Sequence, residues 1–157
     1  MTDARFKDGA EPSLHLVARD EADLRVVSTL VQDAVLCTPD MRWNRKGRRF
    51  MLLVNRFRWE DRAAAEAGQR AYERVRAMLV VEDVTAVRTM GIDRATGETV
   101  LSVLSIGFAA GLDGTGVLTL TLAGGGAVAL SVEALDVTLR DVTRPYAAPS
   151  GKVPSHG

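Results

Sequence analysis

Few residues of this chain combine the type and spacing that chemistry requires. The two histidines, His15 and His156, stand near opposite ends. Neither has a His, Cys or Asp at the i, i+4 or C-x-x-C spacing of a metal site. The lone cysteine, Cys37, follows Ala34-Val35-Leu36 and reads as a small buried hydrophobe rather than a nucleophile held beside a base. Ser102 and Ser105 lie in an apolar run rather than in a G-x-S-x-G elbow. Gly124-Gly125-Gly126 precedes no helix, so it lacks the N-terminus that cradles phosphate and reads as a hairpin turn. The carboxylates Asp20, Glu21 and Asp23 are accounted for by helix capping. What is left is a polar set: Gln32, Asp33, Asn55, Arg56, Arg58 and Asp93. A catalytic reading requires Asp33, Asn55, Arg56 and Asp93 to converge on one pocket. Arg56 paired with Asp33 or Asp93 would instead be a buried ion pair, which is structural more often than functional. No metal and no cofactor is expected, and an enzymatic role has no support of its own.

The second candidate is a charge pattern. Twenty basic and 20 acidic side chains give a net charge of zero. Between Arg42 and Arg76 stand eleven basic residues against four acidic ones, +7 in all, so the remainder carries −7. Arg42, Arg45, Lys46, Arg48, Arg49, Arg56 and Arg58 are interleaved with Trp43, Phe50, Phe57 and Trp59, the combination a single-stranded nucleic acid would need. The pleat of a regular strand weakens that reading, because Arg56 and Arg58 then point away from Phe57 and Trp59. Arg45, Lys46 and Arg48 fall at the tip of a hairpin, as a solvated turn or as a contact surface.

These residues need elements to hold them. Length and composition suit one domain, with 157 residues, 46% apolar and no apolar run long enough to span a bilayer. Leu14 to Ala18 reads as a strand. Asp20 then caps a helix whose apolar stripe is Leu24, Val27, Leu30, Val31 and Ala34, ending near Asp33. Residues 41–44 and 49–59 read as a hairpin, with Gly47 supplying a positive φ. Residues 60–71 read as a loop with one helical turn at most. Strands follow at 74–81, 84–91, 99–108, 116–123, 126–132 and 134–140, with turns at Glu82-Asp83, Arg94 to Gly97, Gly111 to Gly116 and Gly124-Gly125, and a bulge or short turn at Glu133-Ala134. The fold class is therefore α+β and strand-dominated: an antiparallel meander or partly closed barrel with one covering helix near the N-terminus. Residues 14–143 form the domain, and 1–13 and 144–157 read as flexible termini.

Several pieces, in order, carry a family resemblance: Leu14 to Ala18 leading to Asp20-Glu21, Gln32-Asp33-Ala34-Val35, Asn55-Arg56-Phe57-Arg58-Trp59-Glu60, Gly91-Ile92-Asp93, and Ala123-Gly124-Gly125-Gly126-Ala127. The chain resembles the bacterial family called domain of unknown function 2948 over about residues 14 to 145. The resemblance implies a small, single-domain, intracellular protein and transfers no activity, cofactor or catalytic residue. The expected function is a non-enzymatic cytoplasmic module that binds a protein partner or pairs as a homodimer, using the basic hairpin and exposed strand edges. Nucleic-acid or acidic-ligand binding through residues 42–58 stands second, and no membrane association is expected.

Overall fold

The structure is a computed structural model that describes residues 13–92 and 99–155. Strand β1 (His15–Ala18) leads into helix α1 (Glu21–Leu30), then β2 (Val35–Cys37), a 3-10 turn (Thr38–Asp40), β3 (Met41–Asn44) and β4 (Arg49–Phe57). A second 3-10 turn (Trp59–Asp61) and helix α2 (Arg62–Ala67) precede β5 (Glu73–Val81) and β6 (Val84–Met90). After the Asp93 region, which lies outside the described residues, come β7 (Val100–Ala110), β8 (Gly116–Leu122), β9 (Ala127–Val132), β10 (Val137–Asp141) and β11 (Tyr146–Ala147). Every strand pairing is antiparallel, so the strand-dominated α+β class holds.

Local chemistry accounts for most of these boundaries. Asp20 caps α1, its side chain accepting from the Asp23 N–H at 2.8 Å, with Glu21 and Asp23 complementing the positive helix end. The helix stops at Leu30, sooner than its apolar stripe suggests, because Asp33 takes a left-handed φ of 62° and its N–H is given to the Val103 carbonyl at 2.7 Å. Between β8 and β9, Gly124 and Gly125 have φ of 88° and 96°, which side chains with a Cβ rarely adopt and a two-residue hairpin turn requires. At the β3–β4 turn the positive φ belongs to Arg48 (58°) and not to Gly47; the Asn44 side chain fixes the turn by accepting the Gly47 N–H at 2.9 Å. Strand β4 ends two residues earlier than expected, since the Arg58 carbonyl turns to accept the Asp61 N–H at 3.0 Å.

The strand order is β1-β10-β5-β4-β2-β7-β8-β9-β6, with β3 beside β4 and β11 beside β5. This path does not return on itself, so the sheet is open rather than a closed barrel. It is also no simple meander. β5 pairs with β4 and β10, whereas β6 pairs with β9, so Glu82-Asp83 is a crossing between two groups of strands instead of a hairpin. Residues 133–136 make the return crossing, and of the bulge or short turn expected at Glu133-Ala134 it is the turn that forms, between β9 and β10. The two crossings run side by side, with the Glu82 N–H donating to the Asp136 carbonyl at 2.9 Å and the Glu133 N–H to the Asp83 carbonyl at 3.0 Å. Both groups contribute to one apolar cluster, which includes Leu52, Val54, Leu79 and Leu139 from one and Leu118, Leu120, Leu130 and Val132 from the other. Helix α1 packs against β7 and β1, and its Ser28 hydroxyl accepts the Ile106 N–H at 2.9 Å. The Pro-rich C-terminal segment lies along the sheet: Tyr146 and Ala147 pair with β5 and Ala148 is buried.

Candidate functional site

Strand β4 positions most of the polar set, and its pleat divides that set in two. Phe50, Leu52, Val54 and Arg56 face the core, and Met51, Leu53 and Asn55 face outward. Asn55 and Arg56 are consecutive, so their side chains leave opposite faces and share no pocket.

On the core side Arg56 is fully buried, at 0% exposure. Its guanidinium makes two forked pairs. Nη1 and Nη2 donate to Glu60 at 2.9 and 2.8 Å, and Nε and Nη2 donate to Asp141 at 3.1 and 3.0 Å. These two stand where Asp33 was expected, because the 3-10 turn after β4 swings Glu60 back and β10 delivers Asp141; Asp93, the other expected partner, lies outside the described residues. Asp141 also accepts the Leu14 N–H at 3.2 Å, tying the start of the domain to the same point. Arg58 is nearly buried and donates to Glu73, with Glu60 and Asp61 each 3.7 Å away. Asp61 in turn accepts a fork from Arg70 at 2.6 and 2.7 Å. Burial disfavours the Arg56 charge, yet Glu60 and Asp141 outweigh it and hold the guanidinium above its ordinary pKa. Burial likewise raises the Glu60 carboxyl, but Arg56 overcomes this and leaves it below its ordinary value; the hydrogen bond from Arg70 lowers Asp61. The arrangement interlocks three arginines with four carboxylates, and such pairing is what makes a buried ionic network tolerable.

The rest of the polar set is used locally. Asn55 donates to the Tyr146 hydroxyl and accepts from Arg74 Nε at 2.6 Å. Gln32 contributes its carbonyl, which accepts Trp59 Nε1–H at 3.0 Å. Asp33 is buried in its left-handed turn and lies near enough to Arg74 to raise that guanidinium, though burial dominates and the net shift of Arg74 is downward. Asp93 lies outside the described residues. Among the described residues no group of three or more His, Cys, Asp or Glu could hold a metal ion, and no helix is long and apolar enough to cross a membrane.

On the outward side the sheet face made by β1, β10, β5, β4 and β3 has a different character. Register places Val17, Thr138, Val80, Met51 and Arg42 in one row across five strands, and His15, Arg140, Met78 and Leu53 in the next. Arg76 follows beside Asn55. Met51, Leu53, Met78 and Val80 are half-buried, whereas Arg42, Arg76 and Arg140 are exposed. Arg49 is paired with Glu82 at 3.0 Å; Arg42, Arg76 and Arg140 form no ion pair among the described residues. A shallow groove of about 350 Å³ runs over this face between Arg49 and Arg140. Arg76 and Arg140 are the members that composition alone did not single out; their signal was the polar phase of β5 and β10, where they alternate with Val75, Ala77 and Leu139.

The hairpin tip is solvated as its sequence suggests. Arg45, Lys46 and Arg48 are exposed, and Arg48 pairs with Glu133 of the return crossing. Of the aromatics, half-buried Trp43 and buried Phe50 share a cleft with one of them, Arg45. Phe50 and Phe57 are buried, Phe57 packs edge-on to Trp59 at 4.7 Å, and Trp43 faces the inner side of β3 opposite Arg42.

Fold and surface together define an open antiparallel sheet domain whose buried ionic groups pair with one another and whose outer face is basic. The chain belongs to the family described as protein of unknown function, DUF2948, whose model matches residues 14–156. No curated protein and no solved structure matches the chain.

Proposed function

We propose that this protein is a non-enzymatic interaction module that docks an acidic, partly apolar protein surface on the outer face of β1, β10, β5, β4 and β3. The observation that carries the reading is the row structure of that face, in which Arg42, Arg76 and Arg140 surround Met51, Leu53, Met78 and Val80 without acidic partners of their own among the described residues. Exposed arginines around a half-buried apolar centre match the composition of protein contact surfaces, where Arg and Met are enriched. The polar groups able to do chemistry, Arg56, Arg58, Glu60 and Asp141, are engaged with one another. Nucleic-acid or acidic-ligand binding through residues 42–58 is the second reading. It draws on the exposed Arg45 and Lys46, and it is weaker because Phe50 and Phe57 are buried and Trp43 is the one half-buried ring of that segment, lining a cleft with an arginine. Pairing of two copies through the same face would leave like charges opposed.

Fluorescence anisotropy with a labelled peptide of glutamate and leucine, against labelled single-stranded DNA, tests this. The peptide is expected to bind at low salt, to weaken as salt rises, and to lose about tenfold or more in affinity in the Arg76→Glu/Arg140→Glu variant. DNA binding in preference to the peptide, peptide binding indifferent to the double substitution, or a dimer of the protein alone that dissociates in that variant would each overturn it.

A further inference from the structure

A second surface differs from the outer face in kind. Where the sheet fails to close, β3 and β6 stand on either side of a cleft of about 620 Å³. Among the described residues β3 pairs only with β4, and β6 only with β9, so both present a free edge. The pattern of the lining is informative. A cleft over a sheet face would be lined by alternate residues of each strand. From β3 that holds, with Met41 and Trp43 contributing. From β6, five consecutive residues, 85 to 89, line the cleft, so it runs along the strand's edge and past its backbone. At about 3.3 Å per residue this stretch is some 16 Å long. Met41, Trp43, Phe50, Val87 and Ile92 give the lining its apolar part, and its charged residues are Arg45 and Arg88, with no acidic side chain among the described lining residues. Neither arginine forms an ion pair among the described residues.

We propose that this cleft takes an extended peptide that adds to β6 as a further strand, its apolar side chains resting on Trp43 and Met41 and its acidic ones on Arg45 and Arg88. Main-chain hydrogen bonds to a free edge supply affinity, and alternate side-chain pockets supply selectivity. Arg88 also argues for a partner over a second copy of the chain. A charged residue on an edge strand discourages pairing with its own kind, and an acidic segment complements it. The register shift between Val84 and Ala86 fits an edge adapted at its start, since bulges re-aim edge strands.

The inference stands apart from the outer-face reading and is tested separately. The probe is a blocked peptide of alternating valine and aspartate, compared with the same sequence N-methylated at alternate backbone positions so that it cannot form a ladder. With the unmethylated peptide, alternate β6 amides between Thr85 and Thr89 should exchange with deuterium about tenfold more slowly or better, and Arg45→Glu/Arg88→Glu should weaken binding about tenfold. Arg76→Glu/Arg140→Glu should leave this binding unchanged. Equal binding of the N-methylated peptide, absence of β6 protection, or β6 protection in the protein alone at concentrations where light scattering reports a dimer would overturn the proposal.

Discussion

Two arginines one residue apart in register, Arg56 and Arg76, show how the same side chain is put to opposite uses on the two faces of one sheet. Arg56 faces Val75 across the β4–β5 ladder, and Arg76 faces Asn55. Arg56 has lost all its water and replaced it with the carboxylates of Glu60 and Asp141. Arg76 keeps its water and has no carboxylate partner among the described residues. Desolvating a guanidinium costs several kcal/mol, so it occurs only where partners are fixed in place. A guanidinium left hydrated and unpaired costs the fold almost nothing and remains available to something else. Position in the pleat, not residue type, separates an arginine that holds the chain together from one that can meet a partner.

Removing Arg56 should break this contrast most severely. Arg56→Met leaves Asp141 buried without its counter-charge and frees the turn that carries Glu60; equilibrium denaturation should report a loss of about 3–5 kcal/mol. A loss below 1 kcal/mol would mean that the network is solvated in solution.

Acid should act on the same side of the sheet. Glu60 and Asp61 both have carboxyls held below their ordinary values in the folded chain. Their contribution is therefore complete above the ordinary carboxylate range and is lost as pH falls from about 5 through their depressed values. Unfolding free energy measured against pH should decline on the acid side, and Glu60→Gln should flatten that decline. An acid limb unchanged by the substitution would show that Glu60 is not ionically engaged.

A smaller effect is expected at the α1 cap, where Asp20→Ala should cost about 1 kcal/mol by releasing the Asp23 amide. Smallest of all is the outer face. Arg76→Glu/Arg140→Glu should alter stability by no more than about 0.5 kcal/mol, as surface changes do, while reducing binding of an acidic partner. A large stability loss there would mean that these arginines are structural after all, and the contrast between the two faces would dissolve.

Much of the fold was legible in the order of apolar and polar residues. Leu118, Leu120 and Leu122 mark one face of β8, Val128, Leu130 and Val132 one face of β9, and Asp20 marks the start of α1. Alternation says which face a residue takes, yet it is silent on which strand lies beside it. For that reason the Glu82-Asp83 turn reads as a hairpin in sequence and is a crossing in space. The ionic network was half legible. Arg56 and Arg58 stand out within an apolar strand and demand partners, but Asp141 is 85 residues away from Arg56 and nothing in local spacing connects them. The outer face is not legible in local sequence, because Arg140 lies far from the basic stretch 42–76 and joins it only through the β10–β5 register.

The most direct test of the account observes both sets of arginines at once. Arginine Nε–H resonances, followed by NMR as the glutamate–leucine peptide is added, should move for Arg42, Arg76 and Arg140 and stay fixed for Arg56 and Arg58, whose exchange with water should be slow throughout. Peptide-induced shifts at Arg56, with the outer-face arginines unmoved, would contradict the division of labour between the two faces.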